Sequence, residues 1–217
     1  MKKIILIITL FLFCILVINI KIKTAFIEKI DLNLDDSELA VIFLSSEEYK
    51  AVLIKNNLST SLIVLDYKEN KAFNDDLNKF VENKLDFVFL NNPDIKLNID
   101  YSIKDILSNS IKTESYSILK NQNIIMINND NYNICLYDIG VNNLVNSCDF
   151  IYFLNMDYQV SLSEDVKAIF YENKIASKFK ENSYIKWIDN YELSNDIYNI
   201  LKISKDSYDV ITIPNKK

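Results

Sequence analysis

The chain has 217 residues, 49% hydrophobic and 12% aromatic, with one Gly and two Pro. That excludes a disordered chain and leaves no glycine- or proline-rich linker between domains. All 24 basic residues are Lys, set against 30 acidic ones for a net charge of −6, and there is no His. An acidic chain without Arg argues against nucleic acid as a main partner, because phosphate binding draws on clustered cations. Without His there is no Ser-His-Asp triad and no Cys-His pair. A single Gly, Gly140, leaves no glycine-rich phosphate loop. The abundance of Ile, Asn, Lys and Tyr fits an A/T-biased coding sequence.

At the N-terminus Lys2-Lys3 precede IILIITLFLFCILVINI, residues 4–20, broken only by Thr9, Cys14 and Asn19. As a helix this run is about 25 Å long against a hydrocarbon core of about 30 Å, and Lys21 and Lys23 lengthen its reach by snorkelling. No small residues stand where a signal peptidase needs them. Phe13 before Cys14, and the apolar run after it, do not fit a lipoprotein cysteine. Residues 1–24 therefore read as an uncleaved anchor, with a signal peptide as the alternative. The expectation is a single-pass membrane protein whose one domain, residues 36–215, lies outside the cytoplasm. Beyond residue 20 the charge is −8, from 22 Lys against 30 acids.

Short apolar runs then alternate with polar breaks. Residues 38–44, 51–55 and 61–66 read as a three-strand meander. Phe73, Leu77, Phe80 and Val81 recur at helical spacing and predict a helix over 71–84. LDFVFLN, 85–91, reads as a buried strand and 101–108 as a second helix. Strands follow at 115–119, 124–127 and 132–137, a short helix at 141–146, and strands at 150–154 and 166–171. A helix at 174–180 precedes a closing hairpin of 197–203 and 208–213 around Lys205-Asp206. With so little Gly and Pro, turns fall to Asn, Asp and Ser; Asn56-Asn57, Asn91-Asn92, Asn128-Asn129 and Asn142-Asn143 fit that task. The pattern is mixed α/β with two sheets.

This order resembles the metallo-β-lactamase fold, a four-layer αββα sandwich, and is most similar to the hydrolase-like domain of DNA-uptake competence membrane proteins. FLSSEEYKAVLI, 43–54, has the length and apolar frame of that family's FLDVGQGDAILI, and Asp66 in VLDYK stands where the family's LIDGG has its Asp. LNNPDIKL, 90–97, aligns with LTHPHADH: Pro93 matches, Asn92 and Asp94 take the first two His positions, Lys96 the Asp position and Leu97 the third His. Asp138 ends ICLYD as the family's LLTGD ends, and Asn155 in FLNMDY takes the His position of VPHHGS. The resemblance implies a zinc site with its imidazoles lost: Lys96 brings a cation and Leu97 ligates nothing.

Two uses remain for those positions. Asp66, Asp94 and Asp138 with Asn92 and Asn155 are hard oxygen donors suited to Mg²⁺ or Ca²⁺; otherwise the acids cap turns and strand ends. No catalytic residue and no cofactor is assigned. Cys135 and Cys148 read as buried free thiols, with a disulfide as the alternative. A Ser-Lys dyad is left open by composition, but no motif marks one. The expected function is a membrane-anchored, catalytically degenerate domain with a binding or scaffold role and an unidentified protein partner. The alternatives are an oxygen-ligand metal hydrolase and an envelope binding protein of unrelated α/β fold.

Overall fold

A computed structural model describes residues 29–137, 147–154, 165–172, 185–189 and 197–214. The first sheet is entered along an irregular stretch in which Ile30, Leu32 and Leu34 alternate with exposed residues and pack on its outer face. Then come β1 (Leu39–Ser45), β2 (Tyr49–Lys55) and β3 (Thr60–Tyr67), an antiparallel meander. Helix α1 (Lys71–Phe80) leads to β4 (Lys84–Leu90), which lies parallel to β3, and β5 (Ser102–Leu107) adds a parallel edge. The chain crosses within a few residues to the second sheet, β6 (Ser110–Lys112), β7 (Ser117–Asn121), β8 (Ile124–Asn128), β9 (Asn133–Tyr137), β10 (Phe150–Phe153), β11 (Ala168–Tyr171) and β12 (Lys186–Asp189). It returns to the first sheet as the hairpin β13 (Ile197–Ile203) and β14 (Tyr208–Pro214). Among the described residues each sheet has seven strands, ordered β14-β13-β1-β2-β3-β4-β5 and β12-β11-β10-β9-β8-β7-β6.

Two-sided burial explains the strand composition. LAVIFLS of β1 is buried at every position, so its alternate residues serve different cores. Val41 and Phe43 join the cluster shared with Ile134, Phe150 and Phe170 of the second sheet. Ala40, Ile42 and Leu44 face α1, whose Phe73, Leu77 and Phe80 complete the outer cluster. Asn70 starts that helix by accepting from Ala72 N–H at 2.7 Å, and the helix stops where Val81 turns extended. The expected helix over 71–84 thus ends four residues early.

The αββα sandwich is not the fold. Helix makes up 7% of the described residues, in one element, and these residues are mostly β. Strands β9, β10, β11 and β12 stack in parallel and in chain order, with Ile134 beside Phe150, Phe150 beside Ala168 and Ala168 beside Lys186. This one-step-per-strand winding is a β-solenoid of about 4 turns, so the resemblance to metallo-β-lactamases is overturned with the fold. Phenylalanine, isoleucine and tyrosine, with Ala168, fill β10 and β11, which are buried on both faces as parallel strands are.

The helix expected at 101–108 is instead β5. Its Ile103, Ile106 and Leu107 have helical spacing, but Leu85, Val88 and Phe89 of β4 have the same spacing and lie directly beside them. Cross-strand pairing therefore decides against the local period. The helices expected at 141–146 and 174–180 lie outside the described residues. So does the apolar run 4–20, on which the single-pass reading rests. Among the described residues no helix is long and apolar enough to cross a membrane, and the single-pass expectation has no support in the structure.

Cys135 and Cys148 are joined in a disulfide, not held as free thiols. Both are buried beside Ile151 and Ile169 on the outer face of the second sheet. The bond ties β9 to the approach of β10 across a separation of 13 residues.

Candidate functional site

The sequence-derived positions are scattered between turn and strand end. Asp66 is exposed in β3, paired in the ladder with Lys50. Asn92 accepts from Asp94 N–H at 3.0 Å in an exposed turn after β4, so both residues shape that turn. Lys96 is exposed, and Leu97 packs at the margin of the helix-side core. Asp138 and Asn155 lie outside the described residues. Among the described residues no three His, Cys, Asp or Glu side chains gather in a way that could hold a metal ion.

A different cluster forms at one end of the first sheet, and its centre is a carboxylate that the sequence did not mark. Glu172 follows β11 directly and is 1% exposed. Its Oε1 accepts from Tyr152 Oη of β10 at 2.5 Å. Its Oε2 accepts from Ser45 Oγ at the end of β1 and from Lys50 Nζ of β2 at 3.0 Å. Lys50 Nζ also donates to Ser45 Oγ at 2.6 Å. Ser45 and Lys50 are ladder partners, so a hairpin brings them together; Glu172 and Tyr152 arrive from the opposing sheet. A register irregularity in β2 between Lys50 and Ala51 accompanies this reach. Burial, and then the Glu172 charge, hold the Tyr152 phenol well above its ordinary range, so it remains a donor.

Chemically, the cluster brings a hydroxyl nucleophile within reach of an amine, as in a Ser-Lys dyad. Its hydrogen bonds run otherwise. Ser45 spends its proton on Glu172 and receives one from Lys50, while Lys50 is a donor to both partners. In this arrangement Ser45 Oγ, both Glu172 oxygens and two of the three Lys50 N–H groups are engaged within the cluster.

A second buried carboxylate sits on the other face of the first sheet. Asp76 of α1 accepts from Tyr49 Oη, from Tyr198 Oη at 2.5 Å and from Lys79 Nζ at 3.1 Å. Burial and the Asp76 charge push both phenols far up. This group pins the helix to β2 and β13. Tyr49 and Lys50, adjacent in β2, thus reach opposite faces of the sheet, one to each buried carboxylate.

No known protein family matches the chain, and no curated protein is significantly similar to it.

A signal for the Glu172 cluster existed in part. Glu172 stands directly after AIFY, where a charge next to a wholly buried strand needs a partner. Its partner Ser45 is 127 residues away, beyond any local pattern.

Proposed function

We propose that the domain is a non-catalytic binding or scaffold module. The observation that supports this reading is the closed Ser45–Lys50–Glu172–Tyr152 cluster. It pairs a hydroxyl nucleophile with a part-buried amine and a buried carboxylate, and its hydroxyl and carboxylate oxygens are bonded to one another or to Lys50. Catalytic groups act through contacts that strengthen in the transition state, so donors must remain for the substrate. Here both hydroxyl donors are committed within the protein.

The test is a hydrolysis panel with the whole chain. It uses a carboxyl ester, a phosphodiester and a β-lactam, each with and without added Zn²⁺, Mg²⁺ or Ca²⁺. No saturable turnover above buffer is expected. Turnover abolished by Ser45→Ala overturns the reading, and so does metal-dependent turnover abolished by Asp66→Ala or Asp94→Ala.

A further inference from the structure

We propose that Ser45, Lys50 and Tyr152 form a carboxylate-binding site whose present occupant is the chain's own Glu172. A ligand bearing a carboxylate would take the site in competition with that side chain. This rests on the non-catalytic reading and names the ligand chemistry it implies.

Three features carry it. First, the donors divide between the two carboxylate oxygens as in recognition of a carboxylate by a built receptor: Ser45 and Lys50 on Oε2, Tyr152 on Oε1. Second, they come from three strands, β1, β2 and β10, so the receptor is rigid while its occupant is one side chain just past the end of β11. Third, the Lys50 side chain is 20% exposed while Glu172 is 1% exposed, so the cation links the buried site to solvent. The Asp76 cluster differs, because its lysine, Lys79, lies on the same helix as the carboxylate, three residues on.

The same chemistry is offered by a small free acid or by a peptide carboxylate, and two arms separate them. Whole-chain Glu172→Ala is melted in sodium acetate, in an N-acetylated dipeptide ending in a free carboxylate, and in sodium chloride at matched ionic strength. Near saturation, acetate should raise the variant's Tm by about 5 °C over chloride. The unmodified chain should respond far less, because its tethered Glu172 competes at high effective concentration, and Glu172→Ala/Lys50→Met should not respond. A rise with the peptide as well assigns the site to peptide carboxylates; a rise with acetate alone assigns it to small acids. If Glu172→Ala does not fold in chloride, acetate-dependent recovery of its far-ultraviolet β signal is the readout. No response to acetate, or an equal response in the double variant, overturns the site. That outcome leaves the non-catalytic reading standing, whereas Ser45-dependent turnover removes the reading itself.

Discussion

Glu172 has donors from both sheets on a carboxylate that is 1% exposed. Losing its charge leaves the Lys50 ammonium without its ion-pair partner and two hydroxyl donors with a poorer acceptor. Glu172→Gln should therefore lower stability by about 3 kcal/mol, as removal of one member of a buried pair does. Urea denaturation reads this directly, and a loss below about 0.5 kcal/mol, the scale of an ordinary surface substitution, contradicts the role given to Glu172. The phenols give a second prediction at this scale. Tyr49, Tyr152 and Tyr198 hold their protons above the ordinary value near 10, through burial first and then through Asp76 or Glu172. The unfolded chain releases those protons earlier. Their contribution is whole below about pH 10 and is lost as pH rises beyond it. Tyr49→Phe should flatten the decline in stability between about pH 9 and about pH 12, and an unchanged slope would count against the Tyr49–Asp76 bond.

At the level of elements, the apolar runs announce most strands because burial on one or both faces imposes them. The three-strand meander, the buried strand β4 and the closing hairpin are all readable from hydrophobic pattern and turn residues. Asn56 shows why the turn reading works: its Oδ1 accepts from Leu58 N–H at 3.0 Å and Ser59 N–H at 2.7 Å, closing the β2–β3 hairpin. Asn129 does the same for Asn131 and Tyr132. The helical period of β5 is set by its neighbour β4, and β6, with three residues, is too short to carry a pattern of its own. Of the degenerate-site positions, Asn92 and Asp94 belong to a turn, which no spacing rule distinguishes from a ligand pair. Asn56→Ala should destabilise by about 2 kcal/mol, since a buried acceptor with several donors is removed. The Cys135–Cys148 bond closes a short loop between β9 and β10. Replacing both cysteines by Ser should cost about 3 kcal/mol. Thermal melts with and without reductant measure it: the unmodified chain should lose stability on reduction, and the double variant should not respond.

Across the molecule, polar contacts join the two sheets at both ends of the β1–β3 meander. Glu172 takes Ser45 and Lys50 at one end. At the other, Tyr116 Oη lies 2.6 Å from Ser61 Oγ and 3.3 Å from Ser59 Oγ. Between them runs the apolar core of Val41, Ile63, Phe89, Phe150 and their neighbours. The two contacts share no partner, so Glu172→Gln and Tyr116→Phe should be additive within about 0.5 kcal/mol. The meander and the closing hairpin were within reach of the sequence; the parallel stacking of β9 to β12 and the joining of β1 to the end of β11 were not, because both depend on long-range packing of the solenoid strands. The most direct test of the closed, non-catalytic cluster is treatment of the whole chain with a fluorophosphonate serine probe, followed by mass analysis of the peptide containing Ser45. The hydrogen bonds from Ser45 to Glu172 and from Lys50 to Ser45 predict no adduct at Ser45. An adduct there that disappears in Lys50→Ala would contradict it.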